Sequence, residues 1–332
     1  MRLGRVARNG LDGVEARLVA VDPERGLAID LCAAERLRRE RRGATPAAAA
    51  RLAAALFPGS MTMAISAGEA LLAGAAEALH AAGDDASLPL EGLSWLPAVD
   101  PQVMRDCLAF KEHLVNASAR AGGLMNPAHY ERPGFYKGSV SGLIGHEAVA
   151  PWPAYTQWMD YELELGFVVG RPGRNLTPEE AQSHLFGVTI FNDFSARDVQ
   201  KIEMKIGMGP GKGKDLAFGI GPWIVTMDEI GRLDDLEMVV RINGKECSRG
   251  NSAETVWSPG ELLAYMSIAE YVQPGDLIGS GTVGNGSGLE IDRKLEVGDV
   301  LELEVSRIGT LRNRVGPPEE RRWWPEKRKK FW

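Results

Sequence analysis

Apolar and polar side chains alternate with a period of two in several stretches of the chain, the signature of extended strands with one buried face. Near the start, Gly13-Val14-Glu15-Ala16-Arg17-Leu18-Val19-Ala20-Val21 and Gly26-Leu27-Ala28-Ile29-Asp30 flank the turn-prone Asp22-Pro23-Glu24-Arg25, which predicts a hairpin. Late in the chain, Val300-Leu301-Glu302-Leu303-Glu304-Val305 sets glutamates on one face and leucines on the other. From about 31 to 82 the alternation gives way to Ala, Leu, Arg and Glu, interrupted by Gly43, Pro46 and Pro58-Gly59, and two or three short helices are expected. The basic cluster Arg36, Arg38, Arg39, Arg41 and Arg42 reads as a solvated helix face. Residues 83–100 read as a linker, so the boundaries are drawn at 1–100 for an N-terminal domain with its linker, 101–316 for a larger domain and 317–332 for a tail. Strand-like segments dominate after the linker, relieved by helices at about 178–186 and 259–272. Thr177-Pro178-Glu179-Glu180 supplies the former with an N-cap, a first-turn proline and a capping-box glutamate.

The pattern is most informative at Asp160-Tyr161-Glu162-Leu163-Glu164, where an extended backbone would put three carboxylates on one face. Carboxylates about 7 Å apart repel by roughly 2 kcal/mol per pair at an effective dielectric of about 20, so such a comb needs either bulk water or a bound cation. Both readings stand: the wet face of an edge strand, or a divalent metal site. The apolar continuation Leu165-Gly166-Phe167-Val168-Val169-Gly170 reads as a strand entering a core and favours the metal.

Composition narrows the class. With 332 residues, 44% hydrophobic and 25% charged, the chain has the make-up of a soluble globular protein of one large and one smaller domain. A net charge of -7 argues against nucleic acid as a partner and leaves small molecules. Cys32, Cys107 and Cys247 lie far apart with no Cys-x-x-Cys pair, which suggests neither a disulfide framework nor a thiolate zinc site and fits a reducing cytoplasm. No apolar run approaches the roughly 18 residues of a membrane span, and the first residues lack the apolar block of a signal peptide. No membrane partner is expected. The tail from Arg321 to Trp332 is basic and aromatic, and packing of its tryptophans on the protein's own body or on a second copy is the expected use.

Several motifs fail on context. Gly279-Ser280-Gly281-Thr282-Val283-Gly284 satisfies the dinucleotide spacing, but Asn285-Gly286-Ser287-Gly288 follows where a helix should open. The loop Gly207-Met208-Gly209-Pro210-Gly211-Lys212-Gly213-Lys214-Asp215 resembles a phosphate cradle, yet its spacing does not match a nucleotide loop. No Gly-x-Ser-x-Gly elbow is present. Of five histidines, His113 stands out because Asp106 precedes it by two helical turns, so that on a helix an acid and an imidazole would share one side, one to hold metal and the other to handle protons.

Read in order, these pieces resemble the fumarylacetoacetate hydrolase superfamily over most of residues 102–316. Asp106 with His113 resembles its Asp-x(6)-His segment, Asp160 to Glu164 its paired-glutamate strand, and Asn192-Asp193-Phe194-Ser195-Ala196-Arg197-Asp198-Val199-Gln200 its most distinctive block. Lys214, followed by Gly221-Pro222-Trp223, and Gly275-Asp276-Leu277-Ile278-Gly279-Ser280-Gly281-Thr282 complete the set. The resemblance implies an α+β fold, predominantly β: a mixed β-roll catalytic domain with a smaller N-terminal α/β domain, commonly a homodimer. It also implies a divalent metal, magnesium first with calcium or manganese as alternatives. The implied ligands are Asp106, Glu162, Glu164 and Asp193, all hard oxygen donors.

The implied chemistry is hydrolysis of a carbon-carbon bond in an acylpyruvate or 1,3-diketo acid whose adjacent oxygens chelate the metal. His113 would be the general base, Glu290 its orienting carboxylate and Lys214 a cation beside the metal. Tyr136, Arg197, Gln200 and Thr282 are the implied substrate contacts, with Arg197 gripping a carboxylate unless it pairs with Asp198 or the sheet. Leu108 and Phe218 depart from the residues that the resemblance leads one to expect, a tyrosine and a threonine, and point to a more apolar pocket. Arg120 is only near the place of an arginine expected after the histidine. Residues 121–127 read as a mobile lid. Decarboxylases, hydratases and tautomerases of 2-oxo acids share the same metal chemistry and form the alternative; a noncatalytic binding protein using the tail is the remaining rival.

Overall fold

The computed structural model describes residues 1–10, 13–120 and 122–328. Strands β1 (Arg2–Gly10), β2 (Gly13–Asp22) and β3 (Leu27–Asp30) form an antiparallel meander whose second turn is the predicted hairpin, with Val21 opposite Ala28 and Asp22 opposite Leu27. The linker is not bare coil, because β4 (Ser87–Pro89) pairs with β3 and β5 (Ser94–Trp95) with β1. There follow β6 (Met104–Cys107), β7 (Phe135–Gly138), β8 (Leu143–Ile144), β9 (Val149–Trp152), β10 (Met159–Asp160), β11 (Leu163–Val169), β12 (Leu185–Asp193) and β13 (Ser195–Ala196). The remainder are β14 (Phe218–Thr226), β15 (Glu237–Ile242), β16 (Lys245–Asn251), β17 (Leu277–Gly279), β18 (Val300–Val305) and β19 (Gly309–Pro318).

Among the described residues, twelve strands join in one sheet with the path β4-β3-β2-β1-β14-β12-β11-β17-β6-β7, β5 and β8 lying off it. Leu3 pairs with Ile224, so the N-terminal meander is hydrogen-bonded into the same sheet as the larger segment. A second sheet, β16-β15-β18-β19-β9, packs beside it, and the fold is mixed α+β as expected.

Four helical segments occupy 31–82, where two or three were expected: Leu31–Arg41, Pro46–Leu56, Met61–Ile65 and Glu69–Ala81. Each break has a local cause. Asp30, Thr45 and Ser60 accept hydrogen bonds from the first-turn amides of Ala33, Ala48 and Met63, and Gly68 turns the chain with a positive φ before the last helix. The arginine-rich face is not uniformly solvated, since Arg38 is buried against a fully buried Glu35, which also accepts from Arg39 at 2.6 Å. Their carboxylate removes the charge penalty that would otherwise keep Arg38 at the surface.

Helices Pro178–Ser183 and Pro259–Ser267 are shorter than expected but start on the predicted kind of signal, the capping boxes Thr177/Glu180 and Ser258/Glu261. They stop where His184 caps the first and where Ile268 turns extended ahead of Ala269 at positive φ.

The sheet separates two apolar layers. The N-terminal helices pack on one face with Met104, Val168, Phe191, Phe218, Ile220 and Leu277, while Leu163, Leu165, Phe167 and Val169 point to the other. Phe218 belongs to the core, stacked on Phe191 with ring centres 6.0 Å apart, and also borders a surface cavity with Tyr155, Lys212 and Leu216. In the tail, Trp324 stacks on Tyr155 at 5.0 Å, whereas Trp323 is exposed; residues 329–332 of the predicted basic and aromatic stretch lie outside the described residues. No helix among the described residues is long and apolar enough to cross a membrane.

In β18 the predicted alternation is realised: Leu301, Leu303 and Val305 are buried and Glu302 and Glu304 face outward. Leu303→Ala should therefore lower unfolding free energy by about 2–5 kcal/mol, as buried leucine truncations do. Glu302→Ala should stay within about 0.5 kcal/mol of the parent. Urea denaturation of the two variants checks both.

Candidate active site

Strand register brings the acidic residues together. The face of β11 that carries Val168 also carries Gly166, Glu164 and, one step before the strand begins, Glu162. On one side, β12 delivers Asp193 two residues beyond Phe191, and the Asp193 amide donates to the Glu162 carbonyl at 3.3 Å. On the other side, β17 intervenes before β6, whose Asp106 lies opposite Gly279. A side chain on β17 at that position would block the approach. A Cβ on Gly279 would fall 2.2 Å from Asp106 Oδ1 and 2.8 Å from a Phe191 ring carbon, so glycine is what lets Asp106 reach across to β11.

Each of Asp106, Glu162, Glu164 and Asp193 offers a carboxylate oxygen, and all four oxygens lie within 4.8 Å of one another in a buried site. Lys214 Nζ enters the same space, donating to Glu162 Oε2 at 2.5 Å, Asp193 Oδ2 at 2.5 Å and Ser195 Oγ at 2.7 Å. Tyr136 donates its hydroxyl to Asp193 Oδ2 at 2.8 Å, and Glu164 accepts from the Gly281 amide at 2.9 Å and the Thr282 hydroxyl at 3.3 Å. Asp106 Oδ1 and Asp193 Oδ1 are nonetheless buried without any hydrogen-bond partner. Buried carboxyl oxygens without a partner, in a cluster of four acids, are the fit that a hard cation requires, and the all-oxygen donor set suits magnesium, calcium or manganese better than zinc or copper.

The electrostatics agree. Burial pushes Glu164 well above the usual carboxylate range, reinforced by Asp106, Glu162 and Asp193. Burial likewise raises Asp193 and Asp106, in both cases against the pull of Lys214. Glu162 goes the other way: burial opposes its ionisation, but Arg197, Lys214 and His113 together outweigh it and hold the group well below its ordinary range. Lys214 is itself held above the ordinary lysine value by Asp193 and Glu162, which overcome its desolvation.

Beside the cluster sits the histidine. His113 and Asp106 do not share a helix as their spacing suggested: Asp106 is in β6, and His113 is in the helix Lys111–Arg120 that follows it. The intervening bend still brings the imidazole to the acidic cluster, with Nε2 3.9 Å from Glu162 Oε1. Nδ1 lies 2.9 Å from Glu290 Oε2, the orienting contact expected for that glutamate. Glu290 sits in the short helix Gly288–Ile291 and also accepts from the Ser287 hydroxyl at 2.8 Å, the Asn285 amide at 3.0 Å and Asn116 Nδ2 at 3.2 Å. Burial raises its proton affinity, but hydrogen bonding and attraction from His113 prevail and leave it below the ordinary range. Arg120, out of place for the arginine expected after the histidine, braces the same helix by donating to the Glu290 carbonyl at 2.9 Å and to Asp292 at 2.7 Å.

Asp160 departs from the comb. The extended run breaks at Tyr161 between β10 and β11, and the Asp160 carboxylate turns to accept from Arg197 Nε at 2.7 Å and from the Gly288 and Leu289 amides at 3.0 Å each. Arg197 reaches Glu162 Oε1 at 2.8 Å and Gln200 Oε1 at 3.1 Å through its other nitrogens. It pairs with Asp160 instead of Asp198, which accepts from the Thr156 hydroxyl and the Gln157 amide. Buried in this way, Arg197 braces Glu162, while its Nη2 has no hydrogen-bond partner among the described residues.

Asn116, Ser195 and Ser287 belong to the site and had no signal of their own in the sequence. Leu108 is partly exposed near Gly134, and residues 122–127 form a loop that is largely exposed; Ala121, at the start of the expected lid, lies outside the described residues.

A deep carboxylate cluster with an adjoining histidine-carboxylate pair, on the face of a large mixed sheet, has the donor set to hold a divalent ion. Residues 102–316 match the family model described as fumarylacetoacetate (FAA) hydrolase C-terminal, and the chain belongs to that family. Among curated relatives, it is 35% identical over 185 residues to 2,4-didehydro-3-deoxy-L-rhamnonate hydrolase of Sphingomonas sp. (strain SKA58), covering 55% of this chain and 65% of that one. It is 33% identical over 188 residues to an oxaloacetate tautomerase of Bacillus subtilis (strain 168), covering 56% and 62% respectively. The matches thus span less than two thirds of either relative's length. The fold is shared with maleylpyruvate hydrolase from Sphingobium sp. SYK-6, solved in complex with manganese(II) and pyruvate, at a TM-score of 0.69 and 22% identity over 96% of this chain and 100% of the other. It is likewise shared with fumarylacetoacetate hydrolase from Exiguobacterium antarcticum, at 0.69 and 24% over 95% and 99%.

Gly279→Ala should displace Asp106 and weaken Mn2+ binding in calorimetric titration by about 10- to 100-fold, with the circular dichroism spectrum retained. Raised carboxylates hold protons in the folded apo-protein that the unfolded chain has already released, so the stability they confer is present below the unfolded value and fades as pH rises through the folded one. A divalent ion must displace those protons, and excess Mn2+ should raise the melting temperature more at about pH 8 than at about pH 5.5. An equal shift at both would contradict the assignment.

Proposed function

We propose that the chain is a divalent-metal-dependent hydrolase that cleaves a carbon-carbon bond in an acylpyruvate or related 1,3-diketo acid. The observation that carries this reading is the four-carboxylate cluster beside a histidine whose Nδ1 is engaged by Glu290 and whose Nε2 faces Glu162. When bound there, a divalent ion, magnesium first with manganese or calcium as alternatives, would polarise adjacent substrate oxygens and neutralise charge as the bond breaks. The rest of the chemistry belongs to the chain. An Nδ1–H donated to Glu290 fixes the tautomer, leaves the Nε2 lone pair directed at the cluster, and lets His113 take a proton from water. The Glu290 carboxylate then stabilises the imidazolium that forms. Lys214, kept charged by Asp193 and Glu162, holds their carboxylates in place and offers a cation to charge developing beside them. Tyr136, Gln200 and Thr282 border the same space and are proposed to contact the substrate.

The curated rhamnonate hydrolase supports a hydrolytic reading. The tautomerase relative supports a second, in which the same histidine shuttles a proton on a 2-oxo acid and no water attacks carbon. A panel of 2,4-dioxo acids, assayed with and without chelator, separates them by product mass: hydrolysis yields two acids, tautomerisation one isomer. Glu162→Gln and His113→Ala should each lower kcat by about 10²- to 10⁴-fold on the substrate that turns over. Unchanged turnover in both variants eliminates the proposal.

A further inference from the structure

The glycine-rich loop that resembled a phosphate cradle is an anion-binding nest already filled by the chain's own carboxylate. Glu203, in the helix Arg197–Ile206, accepts from the Gly211 amide at 3.0 Å and the Gly213 amide at 3.0 Å through Oε2, and from the Lys212 amide at 2.6 Å through Oε1. Three successive backbone donors converging on one carboxylate form the concave arrangement that binds oxyanions elsewhere. The loop is also docked tightly on the helix: a Cβ on Gly213 would lie 2.9 Å from Gln200 Cα and Cβ. The next residue is Lys214, which leaves the nest through the short turn Lys212–Lys214 and carries its ammonium to Glu162, Asp193 and Ser195.

Arg197, Gln200 and Glu203 recur every three residues in this helix, each a neighbour of the next. Arg197 fixes Glu162, and Gln200 meets Arg197. We infer that Glu203 is a positioning residue: its carboxylate, seated on the amides of Gly211, Lys212 and Gly213, sets the loop conformation that places Lys214 between Glu162 and Asp193. Glu203 touches no acidic residue of the cluster and acts only through the loop. The inference goes beyond the proposed reaction and does not depend on which substrate is turned over.

Chemical rescue tests it. In Glu203→Ala the nest loses its anion but keeps its donors, so a small carboxylate can take the vacant place. Amide exchange across 207–216 in the full chain, read by mass spectrometry, should quicken by about 10- to 100-fold in the variant, the factor that matches loss of a hydrogen bond to a charged acceptor. Acetylation of Lys214 by acetic anhydride should rise with it. Added sodium formate should restore both towards the parent values and leave the parent unchanged. Glu203→Gln, which keeps the shape but sets an amide against those donors, should behave like the alanine variant. Undiminished protection in both variants, or exchange and acetylation that formate does not reverse, would overturn the inference.

Discussion

Burial of like charge is the constraint around which this molecule is arranged. Asp106, Asp160, Glu162, Glu164 and Asp193 are all within the interior, and Lys214 and Arg197 are the cations that touch them. Five carboxylates against two fixed positive charges leave an excess that a low-dielectric interior does not tolerate. The structure meets it in two ways. Glu162 is held below its ordinary range by arginine and lysine, while burial raises the proton affinity of Asp160, Glu164, Asp193 and Asp106 despite the donors that some of them accept from. Oxygens gathered in this way suit the exchange of protons for a doubly charged ion with little rearrangement.

The gathering is done by backbone pairing and not by loops. Three strands contribute the acids, and the only strand between them carries glycine at the crossing point. Rigid supports of this kind hold a site closely, whereas the histidine comes from the helix that follows β6. Its orientation is recovered from a distance: Asp160 fastens the turn that presents Glu290, and Glu290 fastens the imidazole. Asp160 thus connects the carboxylate cluster, through Arg197, with the histidine-glutamate pair.

Local pattern carried much of this. Alternation located β18, one capping box located the start of the helix Pro178–Ser183, and the acidic comb drew attention to Glu162 and Glu164, which lie in the buried carboxylate cluster. It misplaced Asp160 because period-two reasoning assumes an unbroken strand, and the chain turns at Tyr161. It put Asp106 and His113 on one helix because a six-residue gap fits two turns as well as it fits a strand, a bend and a helix start. The contacts of Gly279 and Asn116 were invisible for a different reason. Each depends on what a distant segment brings opposite, such as Asp106 across from Gly279, and no window of sequence contains that information.

The acidic face of β11 is continuous with the face that the N-terminal helices cover, since Val168, Phe191 and Leu277 lie under those helices a few residues from Glu164, Asp193 and Gly279. The helical layer is therefore a lining for the site's floor and not an ornament on the sheet's far side. Phe191 is shared, touching that layer through its core contacts and crowding the glycine crossing through its ring edge. The family model matches from residue 102, and whatever segment precedes it must present a surface complementary to this apolar shelf. Exchange at the front of the chain is thus limited by a footprint that residues 102–316 dictate.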